Sequence, residues 1–125
     1  MATIIVKSEG SLLIVYVSGI LTAEEVTSVF KENYTNGNIK DVIWDISIGS
    51  LGSITEESYK AIALTSYDAI SVGSRKGGKT AFVGHDDIEY SLLKMYAAIA
   101  KETGVPTKYH VFRTIGKARD WIATY

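Results

Sequence analysis

The run Gly73-Ser-Arg-Lys-Gly-Gly78-Lys79-Thr80 spells G-x-x-x-x-G-K-[ST], the pattern of a loop whose backbone amides and lysine cradle nucleotide phosphates. That chemistry requires a strand before the loop and a helix opening at the Lys-Thr pair, because the helix N-terminus supplies the amides and the dipole. Here the residues before Gly73 have helical spacing, while Thr80-Ala-Phe-Val-Gly84 has the composition of a strand. The string therefore reads as a basic turn entering a strand, with Arg75, Lys76 and Lys79 placed to attract an anion at that edge.

Acid–base chemistry near neutral pH would fall to His85 or His110, the chain's two histidines. His110 alternates within a strand and reads as structural. His85 opens His85-Asp86-Asp87 just past a strand end, where ligands of α/β folds gather, but Asp86 is explained as a helix N-cap and Asp87 by the helix dipole. No serine sits in a nucleophile elbow, and no His/Asp/Glu spacing on one helix suits a metal. The absence of cysteine excludes disulfides, thiolate catalysis and Cys-ligated clusters. No catalytic constellation follows, and no cofactor is called for.

Thirteen basic against fourteen acidic residues give a formal charge of −1, which provides no global field for nucleic acid or an anionic membrane. Met1 to Val6 lacks the form of an export signal, and the apolar runs fall far short of the ~20 residues of a membrane span. The expected location is the cytoplasm, with no membrane insertion. At 125 residues, the whole chain, 1–125, is expected to form one domain.

The elements that must position these groups follow one another closely. Thr3–Lys7 and Leu12–Val17 are β-branched and aliphatic runs joined by Ser8-Glu9-Gly10-Ser11, a hairpin whose second strand is apolar on both faces. Thr22-Ala-Glu-Glu25 is a capping box, and Val26, Val29, Phe30 and Tyr34 continue at helical spacing until Asn36-Gly37. Asp41–Ile46 is a third strand. Ser53-Ile-Thr-Glu56 repeats the capping box before a helix burying Tyr59, Ile62, Ala63 and Tyr67. Thr80–Val83 is a fourth strand, followed by a helix with Ile88, Leu92, Met95 and Ile99 as its stripe. Lys108–Phe112 is the fifth, and Thr114 caps a terminal helix with Ile115, Ala118, Trp121 and Ile122 on one face. The order ββαβαβαβα implies an α/β fold with a mixed five-stranded sheet, four helices and parallel, right-handed later crossovers.

The terminal run V-F-R-T-I-G-K-A-R-D-W-I, from Val111 to Ile122, the strand in G-K-T-A-F-V-G and this element order resemble the SpoIIAA-like branch of the STAS domains. The resemblance runs along nearly the whole chain and implies a non-enzymatic regulatory or protein-interaction module. In the anti-sigma-factor antagonists among STAS proteins, a serine at the helix start after the third strand, in an Asp-Ser-Ser/Ala-Gly context, is phosphorylated to switch partner binding. This chain departs from that pattern, reading Ile48-Gly-Ser-Leu-Gly-Ser53-Ile-Thr55-Glu-Glu-Ser58, where Glu56 and Glu57 would oppose a phosphate on Ser53 or Thr55. STAS domains also share their general architecture with Sec14-like lipid carriers, which implies a small apolar or lipid-like ligand as the alternative.

Ligand or partner binding is expected at the carboxyl ends of the third and fourth strands. Asp45, Ser47 and Ser50 follow the one, His85 and Asp86 the other, and Ser53 and Thr55 sit at the adjoining helix start. Eight tyrosines are many for this length, and Tyr59 and Tyr90, on the two helices flanking mid-sheet, are expected to line the apolar side of that region. A protein is the expected first class of partner, a homodimer among the options.

Overall fold

A computed structural model describes residues 2–34, 37–52, 54–71 and 75–124; Asn36, Ser53 and the opening Gly73-Ser74 of the basic string lie outside the described residues. In chain order the elements are β1 (Ala2–Glu9), β2 (Leu12–Ile20), α1 (Ala23–Val29) with a π-helical turn over Phe30–Tyr34, β3 (Asp41–Ser50), α2 (Glu56–Ser71), β4 (Lys79–Val83), α3 (Asp87–Thr103), β5 (Lys108–Phe112) and α4 (Ile115–Ile122). This is the expected ββαβαβαβα arrangement.

The sheet has the order β1-β2-β3-β4-β5. β1 is antiparallel to β2 and every later pairing is parallel. Gly10, at φ 62°, makes the tight hairpin turn between Glu9 and Leu12. Because each crossover steps the same way across the sheet, α1, α2 and α3 all come down on one face, leaving α4 alone on the other. Alternate residues of the central strands serve both sides. Leu13, Val15, Val17, Val42, Trp44 and Ile46 enter the larger core, and Ile14 and Ile43 enter the smaller one beneath α4. β2 is thus covered on both faces, as its sequence requires.

Local signals set the helix starts. Thr22 Oγ1 accepts from the Glu25 amide at 3.3 Å, and the Glu25 carboxylate accepts from the Thr22 amide at 2.9 Å, the reciprocal pair that its capping box predicts. Asp86 caps α3 through the Glu89 amide, and Thr114 caps α4. At α2 the described cap is Thr55, whose hydroxyl accepts from the Ser58 amide at 3.2 Å.

Two expectations need correction. The buried stripe of α3 is Glu89, Leu93, Tyr96 and Ala100, one residue on from the expected one; Leu92, Met95 and Ile99 flank it half-buried, and Ile88 is 72% exposed. The approach of α3 to the end of β4 explains the phase. A Cβ on Gly84 would meet the Tyr90 amide at 3.0 Å and Leu93 Cδ1 at 2.8 Å, so the helix seats its Glu89–Leu93 side on that glycine. On α2, Tyr67 is largely exposed and Ser66 takes the inward place, sharing hydrogen bonds with the Tyr96 and Tyr109 hydroxyls. Trp121 is half-buried, on a short helix that lies across β3, β4 and β5.

Candidate functional site

β3 and β4 are parallel neighbours with Asp45 opposite Val83, so their carboxyl ends leave the sheet at one edge. Ser47 and Ser50, expected after β3, lie within it, since the strand runs on past the end of β4. Asp45 Oδ1 accepts from the Ser47 amide at 3.0 Å, and Ser50 Oγ accepts from the Gly52 amide at 3.1 Å. Both side chains shape the strand end through Asx- and ST-type turns. The Leu51 amide donates to Glu89 Oε1 at 2.6 Å, tying the β3–α2 turn to the first turn of α3. Glu89 is buried, and its own amide is the one that Asp86 caps.

Asp45, Ser47, Ser50, Thr55, His85 and Asp86 occupy strand-end and helix-start positions at this end of the sheet, and the two tyrosines expected beside them differ in setting. Tyr90 packs beside this end, its ring centre 4.2 Å from the Arg113 guanidinium and 5.1 Å from the Lys94 ammonium. Arg113 also bridges to Asp87 at 2.6 Å and to the His85 carbonyl at 3.3 Å, clasping the end of β5 to the start of α3. Tyr59 points inward. It is 1% exposed and lines an internal cavity of about 40 Å³ that Leu21, Trp44, Leu51, Ile54 and Tyr96 also bound. Its hydroxyl has no hydrogen-bond partner among the described residues. Burial, then the negative charge of Glu89, pushes the phenol up to about 12.

Sequence reasoning missed the residues that give the edge its surface character. Ile48 is 78% exposed and Ile88 72%, both at the carboxyl end of the sheet, with Asp45, Glu56, Glu57, Asp86 and Asp87 around the same end. The cap at Asp86 carries no such signal, because the first turn that it opens holds both the exposed Ile88 and the buried Glu89.

The phosphate-loop string has another explanation at Arg75, Gly77, Gly78 and Lys79. It follows α2 and runs into β4, the reverse of the order a phosphate cradle requires. Gly77 adopts φ 81°, and a Cβ on Gly78 would lie 2.1 Å from the Lys40 carbonyl oxygen. Lys79 Nζ donates to the Trp121 carbonyl and the Thr124 hydroxyl, both at 2.9 Å, and to the Thr124 carbonyl, satisfying the last turn of α4. Arg75, expected at the surface, is fully buried. Its guanidinium lies 4.6 Å from the centre of the Tyr34 ring and donates to the carbonyls of Lys40 and Lys79 and to Thr80 Oγ1, the last at 2.7 Å. A cation so enclosed is unavailable to an anion at the edge.

No family profile matches the sequence, and no curated protein matches it. Solved structures do. Over 98% of this chain and 100% of the other, the backbone is similar to the unphosphorylated form of the anti-sigma factor antagonist SpoIIAA, with a TM-score of 0.57 at 12% identity. A protein of the DUF3478 family from Shewanella loihica PV-4, described as having a SpoIIAA-like fold, matches 98% of this chain and 94% of its own with a TM-score of 0.55 at 16% identity. The chain has the SpoIIAA-like fold. Within that fold the β3–α2 turn is where the STAS resemblance placed a switchable serine. Here Thr55 is occupied as the cap of α2, and Glu56 and Glu57 fill the first turn behind it. No helix among the described residues is long and apolar enough to cross a membrane.

Proposed function

We propose that the protein is a non-enzymatic interaction module of the SpoIIAA-like type that docks another protein on the edge formed by the carboxyl ends of β3 and β4. The observation that carries this reading is the pair of outward isoleucines, Ile48 and Ile88, on an edge whose carboxylates outnumber its cations. Exposed large apolar side chains within a charged rim are the anatomy of a protein interface. The acidic rim favours a partner that brings lysine or arginine to the rim and an apolar centre to the isoleucines. The polar groups of Asp45, Ser47, Ser50 and His85 supply the register, and Thr55 and Asp86 hold the two helix starts. A phosphate on Ser53 or Thr55 would add negative charge beside Glu56 and Glu57 and weaken an attraction to basic groups.

The test is affinity capture from the parent cytosol with the wild-type chain and an Ile48→Asp/Ile88→Asp variant, folding being verified by circular dichroism. A protein retained by the wild type and by Leu64→Asp, but lost from the double variant, is the expected result. Identical sets of retained proteins would overturn the assignment of this edge.

A second reading is favoured by Tyr59: a small apolar ligand inside the cavity, with the unpartnered hydroxyl as its polar anchor. At about 40 Å³ the cavity is well below the roughly 150 Å³ that admits benzene in an engineered protein core, so a lipid-like occupant requires its lining to move apart. Native mass spectrometry of the purified protein distinguishes the readings, because a retained small molecule supports the second and a bare chain mass counts against it.

A further inference from the structure

β1 is an edge strand that carries few of the usual defences of an edge. It pairs with β2 on one side only, its eight residues run in continuous register from Ala2 to Glu9, and it contains neither a proline nor a bulge. Ile4 and Val6 face the α1 side, and Val6 is 38% exposed. Above them stands α1, leaving a groove of about 530 Å³ between helix and strand. The groove has an apolar floor of Ile4, Val6 and Val29. Its helical wall carries Glu24, Ser28 and Glu32, spaced four apart along one face of α1 and its π-helical turn. Glu25 also lines the groove but is engaged, accepting from the amides of Ala2 and Thr22. Neither ion pair among the described residues uses Glu24 or Glu32.

We infer that this groove accepts an extended segment of a partner protein by strand addition to β1, the segment carrying lysine or arginine two residues before and two residues after an apolar residue. The spacing follows from geometry. Glu24 and Glu32 are eight residues apart, about 12 Å along a helix, and same-face residues four apart on a strand are separated by about 13–14 Å. A strand laid beside β1 therefore sets two cations against the two carboxylates and the intervening side chain over Ile4, Val6 and Val29. Backbone pairing supplies affinity, and the alternate side chains supply selectivity. A second copy of the chain fits less well. Pairing β1 with β1 about a two-fold axis would gather the Glu24 and Glu32 carboxylates of both copies over one joined edge, while Lys7, which lies against the Tyr16 ring, belongs to the opposite face and cannot neutralise them. This surface is separate from the Ile48–Ile88 edge, so the two assignments stand or fall independently.

The probe is the synthetic peptide acetyl-TKTVTKT-amide, titrated into the labelled full-length protein and followed by amide chemical shifts. Saturable shifts confined to Thr3–Lys7 and Ser28–Glu32 are expected, with affinity about tenfold weaker for the analogue that has glutamate in place of both lysines. The Glu24→Lys/Glu32→Lys variant should reverse that preference, and an analogue with proline in place of the central valine, charges unchanged, should lose the shifts. Shifts mapping to Ile48 and Ile88, no reversal in the charge-swapped protein, or full binding of the proline analogue would each overturn the inference. Sedimentation showing a dimer that Val6→Asp dissolves would also overturn it, by making a second copy the occupant.

Discussion

Two buried tyrosines of the same cavity have opposite relations to their surroundings. Tyr34 Oη accepts from Trp44 Nε1 at 2.9 Å, while Tyr59 Oη has no partner among the described residues. Removing the first hydroxyl strands a buried indole N–H; removing the second relieves an unsatisfied group. Tyr34→Phe should therefore lower the unfolding free energy by about 1–3 kcal/mol, and Tyr59→Phe should leave it unchanged or raise it by about 1 kcal/mol. Urea midpoints of the two variants check this, and a loss in both would mean that Tyr59 has a hydrogen-bond partner in solution. The same residues predict the alkaline limit of the fold. Tyr34 and Tyr59 are each pushed up to about 12 by burial, and Tyr96 well above its ordinary value of 10.0 for the same reason. The unfolded chain ionises first, so their contribution is complete below pH 10 and is lost as pH rises from 10 towards 12. Tyrosinate absorbance should thus show these phenols titrating together with unfolding; titration near pH 10 in a still-folded protein would contradict it.

At the scale of elements, α4 depends on one side chain of β4. Lys79 Nζ donates to the carbonyls of the last helical turn and lies 5.4 Å from the centre of the Trp121 ring, which in turn rests on His110 and Phe112. Because the indole is half-buried, Trp121→Ala should cost about 1.5–3 kcal/mol, less than for a fully buried ring. Lys79→Ala combined with it should be less than additive, and a double-mutant cycle in urea reads the coupling. Strict additivity would show that the two residues act separately. These pairings mark where the sequence is legible. Thr22 with Glu25, the caps at Asp86 and Thr114, and the apolar strands state their roles within a few residues, and the element order follows from them. Arg75 and Lys79 do not. A basic residue in a turn looks solvated until Lys40, Thr80 and the end of α4 converge on it from distant parts of the chain. Tyr59 and Tyr90 likewise have similar local settings, and only tertiary contacts, Tyr96 against the one ring and Arg113 against the other, distinguish the buried tyrosine from the clasped one. Ile88 was misread because helical spacing defines a stripe only up to rotation.

Over the whole molecule the covering of the sheet is unequal. Three helices bury one face, and a helix of eight residues lies on the other along β3, β4 and β5. β2 and β3 are flanked by strands and by side-chain layers on both faces, whereas β1 has a free edge with Ile5 54% exposed. Amide exchange should be slowest in Leu13–Val17 and Val42–Ile46 and faster by orders of magnitude in β1 and α4, which can open without disturbing the larger core. Equal protection of α4 and β3 would mean that the small core beneath α4 unfolds only with the rest.

The strands lie across the sheet in the order in which the chain is made. Each new strand emerging from the ribosome finds its neighbour already in place, so the sheet can be laid down by growth at one side, without a gap held open for a late insertion. Lys79 is an exception to this sequence. It enters with β4, yet the oxygens that satisfy it belong to Trp121 and Thr124, more than forty residues later in synthesis. During translation its ammonium must remain in water, and its closure onto α4 marks the moment at which the second face of the sheet is sealed.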